Sequence, residues 1–139
     1  MKTIALALAM SLVAAGPILA GESASTNKPI AALTQTNTGQ PILLPQGPLQ
    51  VTVTEVNIAA GASLPVHRHP YQRYAYVLGG KLKVVNTETG AEQIFEPGGF
   101  IVEALGQWHY GTALGTEPVK LLVIDQGPKG AANVEIKPN

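Results

Sequence analysis

The chain has 139 residues, with nine basic and nine acidic side chains in balance, so the charge footprint of a nucleic-acid or anionic-membrane binder is missing. There is no cysteine, which excludes disulfides, thiolate metal ligands, a thiol nucleophile and a lipid-bearing cysteine, and leaves any metal to nitrogen and oxygen ligands. Charged residues make up 13% while glycine and proline number 15 and 11, a mixture that suits short strands joined by turns better than helices.

Met1-Lys2 followed by the apolar run Ile4 to Ala15 and then Gly16-Pro17-Ile18-Leu19-Ala20 has the charged head, apolar middle and small-residue end of a secretory signal, with cleavage expected after Ala20. Residues 1–20 are therefore read as a signal peptide, and the mature chain as periplasmic or secreted and free of the membrane. Residues 21–40 are small and polar without a sustained period and read as a flexible leader. What remains after cleavage is about 119 residues, near the common size of one domain; residues 41–128 are the expected domain, and residues 129–139 read as a polar tail lying over it or hanging free.

Within the domain, Ile42-Leu43-Leu44, bounded by Pro41 and Pro45, is a candidate edge strand, where proline is tolerated. Leu49 to Ile58 is rich in β-branched residues and reads as the first clear strand, with an apolar phase shift at Glu55 that suggests a bulge or an inward carboxylate. The stretch Gly61 to Gly80, GASLPVHRHPYQRYAYVLGG, carries His67 and His69 one residue apart. In a strand such residues share a face, so both imidazoles can reach one metal ion. The strand Lys81 to Asn86 follows, then a hairpin turn at Thr87-Glu88-Thr89-Gly90, with Gly90 supplying a positive φ. Phe100 to Glu103 is the strand before the turn that ends at His109, the third and last histidine. Val119 to Asp125 is a nearly continuous apolar run, as in a strand buried on both faces. Beyond the signal no stretch has a helical period. Several short strands at close spacing hide their edges by closing on one another, so the fold class is all-β, barrel or sandwich.

At these residues the chain resembles the cupins, small jelly-roll β-barrels whose first motif reads Gly, five residues, His-x-His, three or four residues, Glu, six residues, Gly. Gly61, His67, His69 and Gly80 fall at that spacing, while the glutamate position falls on Arg73, or on Tyr74 at the longer spacing. The second motif reads Gly, five residues, Pro-x-Gly, two residues, His, three residues, Asn. Gly98, Gly106 and His109 fit it, with Ala104 in place of the proline and Ala113 in place of the asparagine. The resemblance implies a cupin-like antiparallel barrel of the jelly-roll type that binds a divalent metal (Fe, Mn, Zn, Ni or Cu) through His67, His69 and His109. Such a fold carries many activities. The expectation is either an oxygenase or isomerase acting on a small anionic molecule, or a non-catalytic barrel that senses or carries a small ligand.

Arg73 is the departure that bears most on function. If the strand alternates, Arg73 points inward with the histidines while Tyr74 and Tyr76 point away. Its charge is then answered by an inward acid such as Glu55 or Glu103, by an anionic ligand gripped in its planar fork, or by water at the mouth. Tyr71, Gln72, Gln107 and Trp108 flank the histidines and are candidates for ligand contact. Tyr74, Tyr76 and Leu78, on the opposite face, suit a homodimer contact.

Overall fold

The computed structural model describes residues 25–43 and 45–138, so the signal-like Met1–Ala20 lies outside the described residues. Nine strands form: β1 Leu49–Ile58, β2 His67–Arg68, β3 Gln72–Gly79, β4 Lys81–Asn86, β5 Glu92–Phe95, β6 Phe100–Val102, β7 His109–Leu114, β8 Val119–Pro128 and β9 Glu135–Ile136. They make two antiparallel sheets, one in the order β1-β8-β3-β6 and the other β5-β4-β7-β2-β9. The fold is an all-β jelly roll, and the two sheets face each other without closing into one continuous barrel. Among the described residues no helix is long and apolar enough to cross a membrane.

The core lies between the sheets. Ala75 and Val77 of β3, Ile101 of β6, Ala113 of β7, and Val119, Leu121 and Val123 of β8 are all buried there with Ile58 and Leu82. Burying a Val, Leu or Ile side chain fully is worth about 1.5 to 3 kcal/mol, so this alternate-residue layer fixes the register of both sheets. Gly80 makes the tight turn from β3 to β4. Its φ is +72°, and a Cβ there would lie 2.3 Å from the Pro118 carbonyl oxygen, so no other residue fits. Gly90, with φ +75°, closes the β4–β5 hairpin as expected.

Five expectations are corrected. β1 pairs with β8 without interruption from Leu49 to Ile58, so there is no bulge at Glu55; the register shift lies instead between Val77 and Gly79 of β3. Glu55 points outward to an ion pair with Lys120 at 3.0 Å. β8 is not buried on both faces: Val119, Leu121 and Val123 are buried while Lys120 is exposed and Leu122 and Ile124 are half-buried, because β8 is central in a sheet with one outward face. Ile42 and Leu43 form no strand; Ile42 donates its amide to the Thr34 carbonyl at 3.2 Å, and Gln35 bridges Pro41, while Leu44 lies outside the described residues. The presumed leader is tied down from Thr34 onward: Thr36 is buried, the Asn37 amide donates to the Val102 carbonyl, and the Gln40 side chain bonds both the amide and the carbonyl of Leu105. Its small polar residues satisfy backbone groups at the end of β6.

The tail lies over the domain. β9 pairs with β2, His67 opposite Ile136 and Arg68 opposite Glu135, so the two-residue strand that carries His67 has a partner on each side.

Candidate metal centre

His67 and His109 face each other directly across the β2–β7 ladder, and His69 follows two residues after His67, where an isolated bridge joins it to Leu105. The three rings converge, with centroids 5.0, 4.6 and 4.9 Å apart, and all three residues are buried. Each Nδ1 donates to a backbone carbonyl: His67 to Pro65 at 2.7 Å, His69 to Asn133 at 2.7 Å, and His109 to Gln107 at 2.8 Å. A carbonyl can only accept, so every Nδ1 carries the proton and every Nε2 of a neutral ring carries a lone pair. One ring nitrogen from each histidine lies within 4.8 Å of the others. Nε2 of His69 and of His109 are buried without a hydrogen-bond partner, a costly state for polar atoms that bind nothing. The residues therefore fit a metal with nitrogen ligands, and the carbonyls behind them fix the tautomers as outer-shell partners do.

Glu103 joins this group. Its Oε2 lies 3.0 Å from His69 Nε2 and 3.3 Å from His109 Nε2. Burial alone would raise its carboxyl, but the adjacent His109 and His69 outweigh burial and hold it well below the usual carboxylate range. Burial likewise pulls His109 down, and Glu103 outweighs it, so His109 is raised; burial pushes His67 down to about 4.

Arg73 points inward, as alternation predicts, and lines a cavity of about 50 Å³ with His67, Glu103, His109 and apolar neighbours such as Leu121 and Val123. Its partner is neither Glu55 nor Glu103. It makes a two-bond fork with Asp125 of β8, Nε to Oδ1 at 2.7 Å and Nη2 to Oδ2 at 2.8 Å, because Arg73 and Asp125 sit opposite each other in the β3–β8 ladder. Asn133 Nδ2 also donates to Asp125, at 2.5 Å, and the Asn133 side-chain oxygen accepts from the Tyr71 amide.

The other candidates lie off this cavity. Tyr71 packs on Gly127 and lines an apolar cleft of about 280 Å³ with Leu43, Pro70 and Leu105. That cleft is larger but has no histidine or acid in its wall, so the residues that could hold a metal lie at the smaller one. Gln72 is buried with its amide near the Arg73 and Glu103 carbonyls. Gln107 Oε1 accepts from Thr38 and Asn86, and Trp108 lies under the Arg68 guanidinium at 4.6 Å. Sequence reasoning named Glu103 only as an inward acid that could answer Arg73, not as a neighbour of the histidines, and it missed Asn133, which carries no sequence signal at all.

The family profile described as the cupin domain matches residues 54–125, more than half of the chain. The chain belongs to the cupin family. Solved structures agree on the fold. The polyketide cyclase RemF from Streptomyces resistomycificus is 22% identical with a TM-score of 0.55, over 64% of this cupin and 61% of RemF. The DMSP lyase DddQ from Ruegeria pomeroyi is 22% identical with a TM-score of 0.55, over 63% and 43% of the two chains. An oxalate oxidase in complex with the substrate analogue glycolate is 20% identical with a TM-score of 0.53, over 62% and 45%. The match thus spans less than two thirds of each of these three. Comparison with curated protein sequences gives no match.

The titrations of the metal-free cupin have a definite sign. His67 in the fold takes its proton only near pH 4, against 6.5 ordinarily, so between those values the unfolded chain holds the extra proton and stability falls as pH falls. Glu103 adds to this loss in more acidic solution, where the unfolded carboxyl protonates first. His109 acts oppositely: its raised value gives stability that is complete below pH 6.5 and fades as pH rises through the folded value. Chelator-treated protein is therefore expected to be most stable near pH 6.5, with a loss from His67 on the order of 3 kcal/mol toward pH 4. Urea unfolding across the range checks this, and a steady rise in stability into alkaline pH would contradict it.

Proposed function

We propose that this cupin binds one divalent transition metal through His67, His69 and His109 and acts as an oxygenase or isomerase on a small anionic molecule in the periplasm or outside the cell. The observation that carries the reading is the pair of buried Nε2 atoms without hydrogen-bond partners, converging with a third imidazole whose Nδ1 is also committed. A bound metal of this class supplies Lewis acidity and, for iron, manganese or copper, one-electron chemistry. Around it, Leu121, Val123 and Leu82 form the apolar part of the wall, and Glu103 stays an anion beside the imidazoles.

Size and charge narrow the substrate. A water needs roughly 10 to 15 Å³ of such volume, so the cavity of about 50 Å³ admits a few atoms only, the scale of a small carboxylate such as the glycolate held by the oxalate oxidase. Arg73 is already answered by Asp125, so an anion is drawn by the metal and not by the guanidinium. The same small volume favours a second reading, a barrel that binds a small ligand without turning it over. Export is supported by the signal-like Met1–Ala20.

Protein purified without chelator and offered Mn, Fe, Ni, Cu or Zn is expected to take up one equivalent per chain. Failure to take up any of them overturns the three-histidine reading. Oxygen uptake or product formation with small carboxylates by the loaded protein separates the enzyme from the carrier.

The outer face of the β1-β8-β3-β6 sheet supports a homodimer. Tyr74 stacks on Phe100 at 6.1 Å, and Val51 and Val53, on the same face, are each 58% exposed. An isologous pair is the commonest closed arrangement for such a patch. Sedimentation at concentrations on the order of tens of micromolar is expected to give a dimer, and a monomer there would refute the contact.

A further inference from the structure

We infer that Glu103 is the oxygen ligand of the metal centre, a carboxylate supplied from the strand beside the one that carries the cupin histidine motif. The inference rests on the three-histidine reading and adds a residue that neither motif specifies, since Glu103 falls among the unspecified positions between Gly98 and Ala104. The Glu103 amide donates to the Arg73 carbonyl at 2.9 Å, which extends the β3–β6 ladder by one rung and places Glu103 directly opposite Arg73. Directly opposite residues share a face, with Cβ atoms about 5 Å apart. A carboxylate moved across that single rung therefore reaches the space that a glutamate at position 73 would fill.

The row Asp125–Arg73–Glu103 across β8, β3 and β6 also settles the charge. The Arg73 fork is turned to Asp125 and those two charges cancel. Glu103 is left as a net negative charge beside three imidazoles, and among the described residues its only ion-pair contacts are His69 and His109. With Nδ1 of each ring already donating to a carbonyl, the contacts at 3.0 and 3.3 Å bring an anionic oxygen against two nitrogen lone pairs. Such a group is repulsive unless a proton or a metal cation sits among its members; a proton answers one nitrogen at a time, whereas three nitrogens with one carboxylate oxygen form a recognised set for divalent metals. Burial makes the need sharper: Glu103 is 16% exposed, His69 1% and His109 4% in their side chains, and a charge so placed calls for a partner of opposite sign.

Calorimetric titration of chelator-treated full-length protein with Mn²⁺ and Zn²⁺ tests this. Wild type is expected to bind one equivalent, and Glu103→Gln, which keeps the shape but loses the charge, is expected to bind at least about 100-fold more weakly, beyond the usual effect of an outer-shell change. Equal affinity in wild type and Glu103→Gln, with His109→Ala inactive in binding, overturns the inference while leaving the three-histidine centre standing. No binding by wild type overturns both. Should Glu103→Gln fail to fold, infrared difference spectra of the wild type with and without Mn²⁺ give the answer: a shifted carboxylate stretch supports ligation, and its absence refutes it.

Discussion

Replacing His109 with alanine is expected to abolish stoichiometric metal binding while leaving both sheets in place. Affinity should fall by well over the roughly 100-fold that loss of an outer-shell partner costs, since one of three nitrogen ligands disappears outright. His109 suits the test because its Nδ1 bond goes to Gln107 in its own turn, whereas His69 also anchors the tail through Asn133. The layer of Val77, Val119, Ile101 and Val123 does not depend on the ion, so circular dichroism should keep its all-β form. Thermal melts add a second measurement. A metal at a hundredfold excess over its dissociation constant stabilises the folded state by about 2.7 kcal/mol, a gain wild type should show and His109→Ala should lack. A variant whose melting temperature still rises with metal would show that the ion binds elsewhere.

Arg73→Met is expected to cost stability more than any surface-charge change, by about 3 to 5 kcal/mol, because it strands Asp125. The pair is largely buried, Arg73 14% and Asp125 17% exposed in their side chains, and its two bonds are short and parallel. Removing one member leaves Asp125 with Asn133 as its remaining side-chain donor among the described residues. The double variant Arg73→Met with Asp125→Leu should recover much of the loss, since two apolar groups of similar volume often replace a buried ion pair at little cost. Arg73→Glu should be worse than Arg73→Met, because it sets a third acid between Asp125 and Glu103. Urea unfolding of the four proteins without metal checks the order. If Arg73→Met unfolds at the wild-type midpoint, the fork is not a structural partner and the guanidinium is free to serve a ligand.

His67 and His69 were legible as a pair because two side chains one residue apart in a strand face the same way, and His109 joined them through the second cupin motif. The inward side of Arg73 followed from the same alternation, as did the outward side of Tyr74 and Tyr76. The partner of Arg73 was not legible, since Glu55, Glu103 and Asp125 all lie far along the chain and only the register of β3 against β8 selects Asp125. A phase shift at Glu55 looked like an inward acid, yet β1 is an edge strand with both faces largely in water, so its phase carries little information about burial. Thr34–Gln40 looked free because polar residues read as solvated, and there they bond backbone groups of another strand.

By itself the sequence determined most of the strands, the turn at Gly90 and the shared face of His67 and His69, because each rests on local periodicity, on a glycine's positive φ or on a fixed spacing along one strand, while His109 joined the pair through the resemblance to the cupin motifs. Only the tertiary structure decided that Glu103 stands beside those histidines, that Asp125 answers Arg73, and that Asn133 of the tail orients His69. Each of these depends on which strands lie side by side and in which register, and that is fixed by packing across the two sheets and not by any property of neighbouring residues.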